Sequence, residues 1–108
     1  MDGNILARYF SPGFGLIYCG KEALPNISSA AQLFAGAPDE AILAVACIRT
    51  TGITIQFDGT NPTAGTLGID YPVGTFEFPF TALQLKKIKG IQNGGTSTGY
   101  IVYFKAGS

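Results

Sequence analysis

The chain has 108 residues, 46% apolar and only 13% charged, with seven bases balanced by seven acids. That balance excludes a disordered chain, which needs low hydrophobicity and high charge. Zero net charge supplies no general pull toward nucleic acid, and no apolar run approaches the ~20 residues of a membrane helix, so neither partner is expected.

A chain of this length suits one domain. Its charged share is about half the usual one, which leaves surface that other copies or another protein is expected to cover. The opening MDGNILARYF has an acid at Asp2 and no basic stretch, so no signal peptide is expected and a reducing cytosol is. Cys19 and Cys47 sit in the apolar runs GLIYCG and ILAVACI and are expected as free, buried thiols.

Fifteen glycines and six prolines punctuate short runs of Ile, Val, Phe, Tyr and Thr, a β pattern. Tyr9, Phe10, Phe14 and Tyr18 lie among Ser11, Pro12, Gly13 and Gly15. This segment reads either as a hairpin turning at SPGFG or as an arm reaching a neighbouring subunit, its aromatics serving as interface anchors. The expected division is an N-terminal arm or hairpin over 1–26 and a β-sandwich domain over 27–108.

Ile27 to Phe34 reads as a strand; its SSAAQLF portion is the nearest approach to a helical turn. Ala41 to Arg49, AILAVACIR, is apolar on both alternating faces and reads as a strand buried on both sides. Thr50-Thr51-Gly52 predicts a hairpin of 41–49 with 53–58. Ile53, Ile55 and Phe57 alternate with Thr54, Gln56 and Asp58, the period of a half-buried strand. Asp58 is expected to bond the backbone of the following loop, with Gly59, Thr60 and Pro62 setting its path.

Beyond the loop, Thr66 to Ile69 is a short run and Pro72 to Gly74 a turn. Phe76, Phe78 and Phe80 share one face, which must be core or interface. Leu83 and Leu85 follow in phase, and a bulge near Lys89-Gly90 is predicted to reconcile Ile88 with Ile91. Asn93-Gly94-Gly95 is a turn, and Gly99 to Lys105 closes the chain as a strand. The fold class expected is all-β: an antiparallel β-sandwich or jelly roll of about eight strands.

The chemistry-bearing residues are few. There is no histidine, which removes the commonest general base and any Ser-His-Asp or Cys-His arrangement. Two thiols without histidine do not complete a zinc site. GTNPTAGTLG lacks the lysine of a phosphate-binding loop. Asp39-Glu40 reads as a solvated turn, and Asp58, Asn61 and Asp70 lack the spacing of a calcium loop. No catalytic residue, cofactor or metal is therefore expected, and the chain reads as no enzyme. Lys86, Lys87 and Lys89 form a basic cluster, either a solvated edge that blocks sheet aggregation or a patch for an acidic protein surface. Tyr71, Tyr100 and Tyr103 are the candidates for a sugar-binding platform.

From about Ser28 to Phe104 the order of features, SSAAQLFAG, AILAVACIR, ITIQFDGTNPTAGTLG, YPVGTFEF, LQLKKIKGIQNGGT and YIVYF, resembles that of small tailed-bacteriophage virion proteins with a DGTxPTxxG turn. The resemblance implies a non-enzymatic structural protein of the virion, assembled in the host bacterial cytoplasm. It implies a capsid cement (decoration) protein that associates as a trimer or dimer and binds adjacent capsid subunits. The alternatives are a head–tail connector, tail or baseplate accessory, or a carbohydrate- or receptor-binding module. The contact residues expected are Tyr9, Phe10, Phe14 and Tyr18, with Lys86, Lys87 and Lys89 as an electrostatic patch.

Overall fold

In the computed structural model, residues 15–107 are described. They form eight strands: β1 (Leu16–Ala23), β2 (Ala31–Gln32), β3 (Ala41–Arg49), β4 (Ile53–Gln56), β5 (Ile69–Tyr71), β6 (Gly74–Phe78), β7 (Lys89–Gln92) and β8 (Thr98–Ala106). One short helix, α1 (Ala82–Leu85), lies between β6 and β7. Two four-stranded sheets result, ordered β1-β8-β3-β6 and β2-β7-β4-β5, and every pairing is antiparallel.

The pairs β1·β8, β2·β7, β3·β6 and β4·β5 are those of one long hairpin with β4–β5 at its tip. Rolling that hairpin brings β8 beside β3 and β7 beside β4. This is the jelly-roll member of the expected class.

The roll overturns the predicted hairpin of 41–49 with 53–58. β3 pairs with β6 and β8, whereas β4 belongs to the other sheet. The switch occurs at Thr50, whose φ of 75° puts a β-branched residue in the left-handed region. The Thr51 N–H donates to the Arg49 carbonyl at 2.9 Å, closing a strained three-residue turn that sends the chain across the core.

The core lies between the sheets. Ala44, Ala46 and Ile48 of β3 leave room on one side for Phe34, Phe78 and Tyr103, whose rings meet at 5.2 Å (Phe34–Phe78) and 6.3 Å (Phe34–Tyr103). Phe76 and Phe80 pack against this cluster, so the phenylalanine face is core.

Three further expectations are corrected. The strand over 27–34 shrinks to Ala31–Gln32, because the rest follows β7 with only scattered bonds, Gln92 N–H to the Ile27 carbonyl and Leu33 N–H to the Ile88 carbonyl. Leu83 and Leu85 are not in phase: α1 buries Ala82 and Leu85 and leaves Leu83 76% exposed. Ala82, Leu85 and Ile88 recur every third residue, a helical spacing, and no bulge at Lys89-Gly90 is needed. The ladder's irregularities fall instead between Tyr18 and Gly20 and between Ala41 and Leu43. Residues 16–23 of the expected arm or hairpin are the edge strand β1, hydrogen-bonded along β8.

Candidate functional surfaces

The loop between β4 and β5 carries the DGTNPTAG stretch. Asp58 bonds locally: its Oδ1 accepts from the Thr60 N–H (3.1 Å) and hydroxyl (2.6 Å), and these bonds lower its carboxyl pKa. Gly59 takes a φ of 92°, which only glycine adopts without strain, and Pro62 is buried.

The anchor of the loop is a residue that sequence reasoning passed over. Thr54 is completely buried on the side of β4 opposite Ile53 and Ile55. Its hydroxyl donates to Asp70 Oδ1 (2.7 Å) and accepts from the Gly65 N–H (3.0 Å). The Asn93 side-chain amide lies at 2.7 Å; with one hydroxyl proton available, this contact is met when the amide is turned to donate. One hydroxyl thus ties the loop to β5 and to the turn after β7. A polar residue between two buried isoleucines was the available signal.

The lysine cluster does not act as a unit. Lys86 Nζ lies 3.4 Å from Asp39 Oδ1, and Lys89 Nζ donates to Asn61 Oδ1 at 3.2 Å in the β4–β5 loop. Among the described residues, Lys87 has neither an ion pair nor a hydrogen bond through its ammonium group. The Lys86 pair is solvent-exposed and is worth at most about 1 kcal/mol.

The acids are also separate. Asp58 is held by Thr60, Asp70 by Thr54, and Glu77 lies on the other sheet. No group of three or more potential metal ligands gathers among the described residues. No described helix is long and apolar enough to cross a membrane. Cys19 and Cys47 are free and only half-buried; β8 lies between their strands and their levels along it differ by at least three residues, which puts them more than two strand spacings apart, beyond disulfide reach. Burial, then the charge of Glu40, raises the Cys19 thiol pKa.

Tyr103 serves the core, not a platform. It is fully buried, and its hydroxyl donates to Glu22 Oε2, which also accepts the Gly36 N–H at 3.1 Å. Burial, then the hydrogen bond and charge of Glu22, pushes the Tyr103 phenol far above its ordinary pKa. Tyr71 packs edge-on against Phe76 and tilted against Phe78, at 5.0 and 5.5 Å between ring centroids. Only Tyr100 of the three remains on the surface. An open groove of about 490 Å³ runs past Asn26, Ser28, Gln92, Thr96, Ser97 and Thr98, and contains neither an aromatic nor a charged side chain.

Two apolar surfaces remain. At the tip of the roll, Leu67, Ile69 and Val73 flank or occupy the edge strand β5, each half exposed or more. The outer face of the β1-β8-β3-β6 sheet carries two rungs, Glu77–Val45–Val102–Lys21 and Thr75–Cys47–Tyr100–Ala23. Tyr18 pairs with Phe104 on this sheet and is exposed. Tyr9, Phe10 and Phe14 lie outside the described residues. No protein-family model, curated protein or solved structure matches the chain.

Proposed function

We propose that the chain is a non-enzymatic virion structural protein of a tailed bacteriophage, a capsid cement protein that self-associates and binds adjacent capsid subunits. The observation that carries the reading is the tip of the roll. Edge strands are ordinarily blunted with charge or proline, because their free N–H and C=O groups template pairing with another chain. Here β5 (Ile69–Tyr71) holds one acid, Asp70, which is bonded to Thr54, and is followed by Pro72, yet Leu67, Ile69 and Val73 leave it an exposed apolar fringe in a chain with very little charge. Such an edge suits strand addition or apolar docking onto a partner. Lys87, elsewhere on the same sheet's surface, would meet an acidic partner surface, and Tyr9, Phe10, Phe14 and Tyr18 would supply aromatic anchors.

Jelly rolls serve viral capsids and lectins alike, so the fold supports the reading only by analogy. A neck, tail or baseplate role keeps the same contacts and differs in copy number.

The test is quantitative mass spectrometry and electron microscopy of purified tailed-phage particles from cells producing the chain. Hundreds of copies spread over the capsid are expected. Absence from the particles overturns the virion role, and a single ring of copies moves the protein to the neck or tail. Deletion of residues 2–14, which leaves β1 whole, is expected to lower occupancy.

A further inference from the structure

The residue after each of the chain's four asparagines decides how exposed its side-chain amide is to attack from the main chain. Asn4 and Asn26 precede isoleucines, whose branched side chains crowd the nitrogen that would attack, and Asn61 precedes Pro62, which has no N–H. Only Asn93 precedes a glycine. Gly94 is exposed in the turn after β7, and its N–H makes no hydrogen bond among the described residues. Beyond its chain neighbours, no atom lies within 4 Å of where a Cβ would be. Asn93 itself is half-buried. Its backbone N–H donates to the Gly52 carbonyl at 3.0 Å, and its side-chain amide lies 2.7 Å from the Thr54 hydroxyl. An unbonded, unhindered main-chain nitrogen thus adjoins an amide that belongs to the buried knot of the β4–β5 loop.

We infer that Asn93 is a self-modifying site, whose deamidation unties that knot. The Gly94 nitrogen gives its proton to a base in solvent and bonds to Asn93 Cγ. The bond from Cγ to the side-chain nitrogen breaks, and that nitrogen takes up a proton and leaves as ammonia. Water then opens the five-membered imide at either carbonyl, leaving aspartate or isoaspartate at position 93. One water is consumed, one ammonia is released, and nothing is oxidised or reduced. The product no longer fits its place. The Thr54 hydroxyl has one proton, which goes to Asp70 Oδ1 at 2.7 Å, so the Asn93 amide is held by donating. A carboxylate in its place has no proton to give, and it sets a second negative charge beside Asp70 around a fully buried Thr54. The Gly65 N–H bonds to the same hydroxyl, so the DGTNPTAG loop is released with it. The modification does not rest on the virion reading; it acts on whatever surface the loop and β5 present.

The full chain is aged in warm, mildly alkaline buffer and followed by peptide mass spectrometry, with isoaspartate detected by enzymatic methylation. Conversion at Asn93 is expected to be about tenfold or more faster than at Asn4 or Asn26, which serve as internal controls. Gly94→Ala keeps the N–H, adds a crowding methyl and is expected to slow conversion about tenfold. Equal rates at Asn93, Asn4 and Asn26 overturn the site. The consequence is read by amide hydrogen exchange. In Asn93→Asp, and in aged protein separated by its added charge on ion exchange, the Gly65 amide is expected to exchange about tenfold or more faster while β3 and β8 keep their protection. Unchanged Gly65 protection overturns the untying, and so does acceleration spread equally over β3 and β8. Should Asn93→Asp not fold, the aged protein gives the same reading.

Discussion

Thr54 of β4 holds its buried hydroxyl 2.7 Å from the carboxylate of Asp70 on β5, and that contact, with the Gly65 amide at 3.0 Å, closes the tip of the roll. Asp58, the more conspicuous residue of the loop, bonds only to Thr60 two residues away.

Thr54→Val keeps the side-chain shape and removes the hydroxyl. It leaves the Gly65 N–H and the Asp70 and Asn93 side chains short of a partner, a cost of about 1–3 kcal/mol. Asp58→Ala, at an exposed position, is expected to cost less. Urea denaturation of the two variants side by side measures the order, and a larger loss for Asp58→Ala would show that Asp58, not Thr54, anchors the loop.

Thr50→Gly tests the crossing between sheets. Non-glycine residues at such a φ store about 1–3 kcal/mol of strain. Glycine relieves it but gives up the Thr50–Thr98 hydroxyl contact at 2.9 Å and some chain entropy. The expected outcome is a neutral change or a gain of about 1 kcal/mol in the same assay, opposite to the loss that glycine brings inside a strand.

Tyr103→Phe removes the donor that faces Glu22 across the core, at an expected cost of about 1–2 kcal/mol near neutral pH. It also changes the alkaline limb. Burial, then the hydrogen bond and charge of Glu22, raises the folded phenol's pKa above its ordinary value, about 10, near which the unfolded phenol titrates. The unfolded state therefore sheds this proton first, and stability contributed by the neutral phenol is present below about pH 10 and is lost as pH rises above it. The variant should lose less stability than the parent between about pH 9 and pH 11. Part of the slope remains, since burial also raises the Tyr71 pKa. Denaturation at the two pH values, with phenolate absorbance as a second readout, gives the difference.

Gly99→Ala is expected to prevent stable folding. A Cβ at Gly99 would overlap the Cys47 carbonyl oxygen, a backbone atom in the centre of the sheet that cannot swing aside. Loss of a cooperative urea transition is the expected result. Gly94→Ala, at a turn position with open space around it (φ 85°), should cost only the local strain of a left-handed residue, about 1–2 kcal/mol.

The strands themselves were largely legible. Alternation in ITIQ, the apolar run AILAVACIR and the closing GYIVYFK predicted β4, β3 and most of β8, because inward and outward side chains must alternate whatever lies beside the strand. The glycine and proline turns predicted the all-β class for the same local reason. Partners were not legible. AILAVACIR reads the same whether it pairs with its sequence neighbour or with strands 30 and 55 residues on, so the expected 41–49 hairpin failed while the strand was right. Only the rolled chain decided that β4 crosses to the other sheet. It also decided that the lysines bind separate partners, and that Thr54, an unremarkable alternate residue in sequence, is the buried knot of the DGTNPTAG loop. Such roles depend on which polar groups lose water together, and that follows from long-range packing, not from local pattern.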